Sequence, residues 1–196
     1  MLTIESPIAT ARLVLRPYMP ADLDQLHAIR SRPDVARYLY GGAFDLEESR
    51  AALARKVEQT CLVSENDVLA LAVTLPGVGS TLTGVIGEVI LWWRSVQHRQ
   101  GEIGFVFHPD HGRRGYATEA AAAMLGLAFD ALQLHRVYGR TDARNVASAA
   151  LMQRLGMRQE ARLVRNELFK GEWSTELDFA MLAEEWQAAA RAAQPA

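Results

Sequence analysis

Cysteine is nearly missing from this sequence, and its scarcity excludes a disulfide framework. The chain has one cysteine in 196 residues, Cys61. No internal disulfide can form, so small disulfide-rich secreted scaffolds are excluded. Cys61 precedes Leu62 and Val63, and we interpret it as a small buried hydrophobe rather than a nucleophile. A single thiol is typical of a reducing compartment, and we therefore expect a cytoplasmic protein.

Long apolar runs and an excess of charge of one sign are missing too. Runs such as residues 68–73 are far too short to span a bilayer, and the start of the chain has no basic segment followed by an apolar one. We therefore expect neither a membrane span nor a signal peptide. The net charge of -2 gives no overall attraction to nucleic acid, so any basic function must be local.

What the chain does contain is the composition of an ordinary soluble domain, with 49% hydrophobic and 22% charged residues. Without repeats or an internal linker, residues 1–196 are predicted to form one α/β domain with a core at about 12–182. The alanine-rich tail, 184–196, is expected to fray. Apolar periodicity and turn residues predict strands at 12–16, 68–75, 83–93, 97–108, 135–141, 160–169 and 174–181. Helical spacing and caps predict helices at 20–31, 45–59, 117–131 and 145–155.

A tight basic turn joins the strand that ends at His108 to the helix of residues 117–131. The start of a helix presents unpaired backbone N–H groups and a partial positive charge, which together favour an anion. Arg113 and Arg114 add two cations, and Gly115 lets the backbone approach an anion closely. We infer a phosphate or pyrophosphate ligand. The alternative is a solvated basic turn before a surface helix.

The glycine spacing of this turn decides between nucleotide-binding loops. The nucleoside-triphosphate loop requires a lysine after its last glycine, and no lysine follows Gly115. The dinucleotide pattern of three glycines is missing as well. The turn resembles the pyrophosphate arm of the GNAT acyltransferases, Gln/Arg-x-x-Gly-x-Gly/Ala. Gly115-Tyr116-Ala117 matches its second half, while Gly112 stands where Gln or Arg is expected. The run from Gly115 to Ala120 is most similar to the branch that acetylates N-terminal amines of ribosomal proteins, although Gly112, Arg113 and Arg114 depart from the usual aromatic-Gly-polar residues there.

A second signature supports the same family. Asn145-Val146-Ala147-Ser148, followed by Leu151 to Gly156 and Met157, resembles the family's Asn-x-x-Ser helix and its Gly-hydrophobic corner. The order of elements from about 12 to 181 is also similar to this family. The resemblance implies the GNAT fold, an α/β (α+β) fold with a central, mixed, mostly antiparallel sheet flanked by helices. This sheet would be splayed between its fourth and fifth strands.

The resemblance also implies an acetyl-CoA-dependent N-acetyltransferase that transfers the acetyl group directly to a primary amine. Acetyl-CoA, as co-substrate, would lie where the strand ending at His108 and the strand of residues 135–141 separate. Backbone groups of Phe105, Val106 and Phe107 would hold the pantetheine arm and donate an N–H to the developing oxyanion. Asn145 would either cap its helix or bond the pantetheine amide. The diphosphate would be held by the turn itself, at Gly112, Arg113, Arg114, Gly115, Tyr116, Ala117 and Thr118.

Two residues are candidates for proton transfer. Glu102 is the candidate general base, because apolar neighbours push the pKa of a carboxylate towards neutrality and the branch often has Glu before Ile-Gly at this place. The alternative is a glutamate paired with arginine or water. Ser148 is the candidate for returning a proton to the thiolate, since Met152 occupies the place where many family members have tyrosine. The alternative is a small residue packed in the first turn of its helix.

The acceptor must be a neutral amine, and the amount of free energy needed to neutralise it favours one class. An α-amino group with pKa ~7.7–8.0 costs about 1 kcal/mol to neutralise at pH 7, and a lysine at ~10.4 costs about 4.6 kcal/mol. A single carboxylate base suits the first task, so a protein or peptide N-terminus is the expected acceptor. The alternatives are a small-molecule amine or aminoglycoside, and a non-catalytic CoA-binding sensor domain.

Several aromatic residues are candidates for one wall of the acceptor site, and no metal, nucleic-acid or membrane partner is expected. Tyr38, Tyr40, Trp92 and Trp93 could each line this wall or pack in the core. His108-x-x-His111 has no accompanying ligand cluster, whereas zinc needs three or four ligands, so no metal is expected. We expect no direct contact with nucleic acid or membrane, and a monomer or homodimer.

Overall fold

The computed structural model describes residues 1–76 and 84–192, which contain ten strands and six α-helices. In chain order the elements are β1 (Leu2–Thr3), β2 (Ile8–Ala9), β3 (Val14–Pro17), α1 (Leu23–Arg30), α2 (Pro33–Ala36), α3 (Leu46–Glu58), β4 (Cys61–Leu62), β5 (Val68–Thr74), β6 (Val85–Ser95), β7 (Gln100–Phe107), α4 (Tyr116–Gly126), β8 (Arg136–Asp142), α5 (Val146–Arg154), β9 (Arg158–Phe169), β10 (Glu172–Leu182) and α6 (Ala183–Ala192). The predicted strands are thus β3 and β5 to β10, and the predicted helices are α1, α3, α4 and α5.

Eight strands form one sheet in the order β2-β3-β5-β6-β7-β8-β10-β9, and β1 pairs separately with β4. Every neighbouring pair in the large sheet is antiparallel except β7 with β8. Their parallel pairing runs only from Gln100↔Arg136 to Glu102↔Tyr138, although β7 continues to Phe107 and β8 to Asp142. The predicted mixed sheet is confirmed, and so is the splay between the fourth and fifth predicted strands.

Alternation along the central strands divides the core between the two faces of the sheet. On β5, Leu69, Leu71 and Val73 belong to the larger cluster, which also contains Ala121 and Met124 of α4. The smaller cluster lies on the opposite face, where α1 and α3 cover the sheet with residues such as Leu26 and Leu53. Ala120 and Ala121 of α4 are fully buried, because small side chains let the helix axis approach the strands closely.

Two features of the helices differ from the prediction. The helix predicted at 117–131 is regular only to Gly126, and residues Leu127–Ala131 form a π-helix in which Leu132 N donates to Leu127 O at 2.9 Å. The tail that was expected to fray continues as α6 to Ala192. Its Trp186 stacks on Phe129 at 5.8 Å and donates to Asp130 at 3.0 Å, which supplies the anchor that composition did not indicate.

Apart from α6, the elements that sequence reasoning missed are short. β1, β2, β4 and α2 span two to four residues each, too few for a period of 2 or 3.6 to appear. The predicted turn at Pro76-Gly77 and the predicted strand start at Thr83 fall partly outside the described residues. The strand that follows begins at Val85.

A buried ion pair holds the start of α1 against the sheet, and it generates a test of stability. Arg16 donates to both oxygens of Asp22 at 2.7 Å, and Asp22 is fully buried. We expect Asp22→Ala to lower the free energy of unfolding by about 3–5 kcal/mol, because the buried guanidinium loses these two bonds. Chemical denaturation measures the change. Asp34→Ala breaks the exposed Arg32–Asp34 pair and should have little effect; equal losses in both variants would contradict this prediction.

Candidate active site

The basic turn has the backbone that close approach to an anion requires. Gly115 caps α4 with φ +78°, in the left-handed region that favours glycine. A short 3-10 turn at Pro109–His111 precedes it, closed by a bond from Gly112 N to Pro109 O of 2.8 Å. A Cβ atom on Gly112 would lie 2.9 Å from that carbonyl oxygen. This backbone therefore has no room for the glutamine or arginine that the family pattern places there.

Most of the residues predicted to hold an anion line one groove between this turn and α5. The groove has a volume of about 490 Å³ and is lined by Phe107, His111, Gly112, Arg113, Gly115, Tyr116, Ala117, Thr118, Ala147, Ala150 and Arg154. Arg114 is the exception among the predicted residues. Its carbonyl accepts from Arg12 Nη1 at 2.9 Å, and its side chain does not line the groove.

The gap between β7 and β8 leaves backbone groups of β7 free for a ligand. His108 N donates to Ile86 O at 2.9 Å, so alternate residues of β7 direct their backbone groups at β6. Val106, in register with Glu88, belongs to this set. Phe105 and Phe107 direct theirs into the gap. Two of the three predicted backbone ligands are therefore available, and Val106 is not, because its amide and carbonyl pair with β6.

The side chain of Val106 instead faces a cleft on the α1 and α3 side of the sheet. Glu102 and Gly104 lie on the same face of β7, and Glu88 and Trp92 lie beside them on β6. The cleft has a volume of about 370 Å³, and Tyr38, Tyr40, Asn145 and Ser148 also line it. Of the two neighbouring tryptophans, Trp92 borders the cleft, and Trp93 is 8% exposed and packs in the core. Tyr38, Tyr40 and Trp92 thus form part of the cleft wall.

The prediction that the Glu102 carboxylate has apolar surroundings is wrong, because the groups bonded to it are cationic. Its Oε2 accepts from Arg94 Nε at 2.8 Å, and its Oε1 accepts from Arg140 Nε and Nη2, both at 3.2 Å. Arginine stays protonated in proteins, so all three bonds are charge-assisted contacts. Burial, followed by the Glu102 charge, raises the pKa of the facing Tyr138. The alternative interpretation, a glutamate paired with arginine, describes the observed geometry.

Asn145 and Ser148 occupy the first turn of α5, next to the cleft. Asn145 Oδ1 accepts from Ser148 N at 3.2 Å, so the asparagine caps the helix in this structure. Met152 follows one turn later and is 2% exposed. Ser148 lines the cleft together with Glu102, so the structure brings the two candidate catalytic residues to one cavity.

The sheet with its gap, the basic groove and the cleft agree with a comparison of protein families. A family model described as an acetyltransferase (GNAT) domain matches residues 12–158. The chain belongs to the GNAT acetyltransferase family. It is an N-acetyltransferase, and acetyl-CoA is the co-substrate of that family.

Individual relatives of this GNAT enzyme agree with that assignment. The uncharacterized N-acetyltransferase YnaD of Bacillus subtilis is 28% identical over 179 residues, which are 91% of this chain and 98% of YnaD. A GNAT-family acetyltransferase from Bacillus anthracis has a TM-score of 0.80 and 28% identity, covering 92% of this chain and 100% of its own. Spermidine N-acetyltransferase from Vibrio cholerae, solved with CoA and spermine, shares the fold at a TM-score of 0.74 and 20% identity, over 91% of this chain and 99% of its own.

The groove fits the diphosphate of acetyl-CoA, and the gap fits its pantetheine arm. Phosphates need cations and free amides, which Arg113 and the start of α4 at Gly115 offer. A pantetheine arm needs free backbone groups, which Phe105 and Phe107 direct into the gap. Arg154, on the opposite wall of the groove, adds a cation that sequence reasoning missed. It contacts Thr118 Oγ1 at 3.4 Å, and only its place in the last turn of the helix after Asn145 could have indicated it.

Arg12 and Glu119 support the turn from outside the groove. Arg12 Nε donates to Glu119 Oε2 at 2.7 Å, and its guanidinium lies 5.0 Å from the centre of the Tyr116 ring. Thr10 Oγ1 also donates to this carboxylate, at 2.6 Å. Although burial opposes it, these hydrogen bonds hold the pKa of Glu119 below its ordinary value. Glu119 thus ties α4 to the loop between β2 and β3.

Metal binding and membrane insertion each need a recognisable feature among the described residues. Across residues 1–76 and 84–192 no group of three His, Cys, Asp or Glu side chains is arranged to hold a metal ion. His108 and His111 lie edge to face at 6.0 Å, and burial followed by the charges of His108 and Arg114 lowers the pKa of His111. In the same residues no helix has the length and apolar character needed to cross a bilayer.

The groove generates a prediction that separates its two neighbouring arginines. We expect Arg113→Ala to weaken CoA binding about tenfold or more, because a charge-assisted hydrogen bond contributes about 1.5–3 kcal/mol. Arg114→Ala is the matched control and should change little, since its side chain lies outside the groove. Calorimetry with CoA and with pantetheine measures both. An equal loss for the phosphate-free pantetheine would contradict a phosphate contact at Arg113.

Proposed function

We propose that this N-acetyltransferase acetylates the α-amine of a protein or peptide N-terminus by direct transfer from acetyl-CoA. The observation that carries the proposal is the position of the gap. Beyond Glu102↔Tyr138 the gap between β7 and β8 adjoins the cleft that Glu102 and Ser148 line. A thioester entering through the gap would meet an amine entering through the cleft. An α-amine is the acceptor class that needs the smallest free energy of neutralisation at pH 7.

Each residue then has a separate task. Bound acetyl-CoA supplies an activated acetyl group. The N–H groups of Phe105 and Phe107 face the gap, where one of them donates to the thioester carbonyl oxygen. Glu102 accepts the proton of the amine, directly or through water, and loosens its bonds to Arg94 and Arg140 as it does so. Ser148 returns a proton to the sulfur as it leaves, and Asn145 keeps the first turn of α5 in place.

A small polycationic amine is the second candidate acceptor, and the charge of an adjoining pocket favours it. This pocket shares Tyr38, Tyr40, Glu102, Arg140 and Thr141 with the cleft. It adds the carboxylates of Asp142, Glu167 and Glu176, and among the described residues Arg140 is the one cation that lines it. Burial raises the pKa of Glu176 although Arg140 opposes the shift. A second ammonium group on the acceptor would be attracted here, and spermidine N-acetyltransferase shares this fold.

An acceptor panel separates these candidates. The expected result is thiol release from acetyl-CoA with peptides that begin with Ser or Ala, and less release with spermidine, an aminoglycoside or a peptide whose only amine is an internal lysine. Faster release with spermidine would replace the first acceptor class with the second. CoA binding without release for any amine would make the protein a CoA sensor and refute the proposed activity.

The role of Glu102 has its own prediction. We expect Glu102→Gln to lower turnover at pH 7 by about 10²- to 10⁴-fold, the range of general-base catalysis, with unchanged CoA affinity. Glu160→Gln is the matched control. Glu160 is also bonded to two arginines, Arg136 and Arg158, but it lies outside the cleft. Turnover of Glu102→Gln equal to that of the control would remove Glu102 as the base.

A further inference from the structure

A second carboxylate, Glu88, is buried at the inner end of the cleft. It lies on β6 and is 2% exposed. Its Oε2 accepts from Tyr18 Oη at 3.1 Å and forms an ion pair with Lys56 Nζ at 2.5 Å. Burial, followed by the charge of Glu88, raises the pKa of Tyr18 well above its ordinary value, so the phenol remains a donor. One oxygen of Glu88 is thereby fully engaged.

The other oxygen, Oε1, has no hydrogen-bond donor among residues 1–76 and 84–192. The nearest cation is Arg30, whose Nη1 lies 4.0 Å away, beyond hydrogen-bond distance. The Arg30 guanidinium packs on the Phe44 ring at 4.3 Å, which holds it in this place. Buried charged oxygens almost always have a hydrogen-bond donor, because burial removes their bonds to water and only a new donor compensates for that loss. This oxygen therefore indicates a donor that the described residues do not supply.

Glu88 is also close to the proposed site of transfer. It is the cross-strand partner of Val106, and the Cα atoms of such a pair lie about 5.5 Å apart. The residues on either side of Val106 are Phe105 and Phe107, whose amides face the gap. Glu102 lies four residues away along β7, or about 13 Å at the rise of a strand. The two carboxylates thus flank the segment of β7 that the thioester would meet.

The charge around Glu88 selects the kind of donor. Arg30 and Lys56 supply two positive charges against one negative charge, and both side chains are mostly buried. The charged groups around Glu102 do not cancel this excess of positive charge, because two cations, Arg94 and Arg140, are paired with the single carboxylate of Glu102. Asp22, which also faces Tyr18, is bonded to Arg16. An ammonium group would be repelled here, whereas the N–H of a neutral amine would find an acceptor.

We propose that Glu88 is a further catalytic residue of this enzyme, whose Oε1 accepts a hydrogen bond from the neutral acceptor amine while Lys56 and Arg30 keep that amine unprotonated. The proposal rests on the proposed function and deepens it. No covalent bond is made or broken at Glu88. The carboxylate orients the nitrogen, and the two cations favour loss of its proton, which reaches Glu102 through water. The same logic applies to lysines that a neighbouring cation holds in their neutral form.

The pH dependence of turnover tests the role of the cations. In kcat, the inflection reports groups of the bound complex, including the acceptor amine. Lys56→Met removes one positive charge, so the pKa of the bound amine should rise and the inflection should move to higher pH by about one unit. Arg55→Met is the matched control, because Arg55 neighbours Lys56 on α3 but is exposed and lies outside the cleft. An inflection that stays in place in Lys56→Met would overturn the proposal.

Glu88→Gln tests the hydrogen bond itself. The single carbonyl oxygen of glutamine would be engaged by Tyr18 and Lys56, which would leave an amide N–H₂ group facing the N–H of the amine. We expect the acceptor KM to rise at least tenfold with an unchanged CoA dissociation constant, which also shows that the variant is folded. An unchanged acceptor KM would mean that Oε1 binds only water, and would overturn the proposal. Failure of the unmodified enzyme to acetylate any amine would instead refute the proposed function.

Discussion

The separation of β7 from β8 is the constraint on which the rest of this structure depends. Three residues of each strand pair in parallel, and beyond Glu102↔Tyr138 the strands diverge. An open seam inside a sheet leaves amides and carbonyls without partners, which is costly unless a ligand completes them. The turn at Gly115 and the start of α4 follow directly from the open end of β7. Groove, gap and cleft are therefore parts of one continuous path from anion to acceptor.

Charge along this path is arranged differently at its two ends. At the groove, Arg113 and Arg154 have no carboxylate bonded to them in the described part of the chain, so their positive charge remains available to a phosphate. At the cleft, each carboxylate already has two cations near it. Glu102 is bonded on both oxygens, whereas one oxygen of Glu88 has no hydrogen-bond donor in the described part of the chain. In the proposed mechanism, proton acceptance and amine orientation therefore belong to different carboxylates, which are distinguished by their contacts and not by their residue type.

Much of the fold could be predicted from the sequence, and the site only in part. Long strands such as β6 and β7 and the helix after Gly115 followed from periodicity and from the glycine turn, whereas the splay followed from the resemblance to the GNAT family. The pairs β1–β4 and β2–β3 did not, because two residues carry no period. The side chains of Arg12, Lys56 and Glu88 come together with the site only through tertiary packing. No local pattern marks a residue whose partners lie tens of positions away.

The contrast between Glu102 and Glu88 shows why strand alternation alone could not predict the contacts of either carboxylate. Strand alternation placed Glu102 correctly on one face of β7, but it treated the neighbours on that face as apolar. The cross-strand and cross-sheet neighbours, Arg94 and Arg140, belong to segments 8 and 38 residues away and decide the chemistry of the carboxylate. For Glu88 the corresponding neighbours are Lys56 of α3, Arg30 of α1 and Tyr18, which follows β3. A base is defined by what competes for its lone pairs, and this competition is a property of the folded sheet.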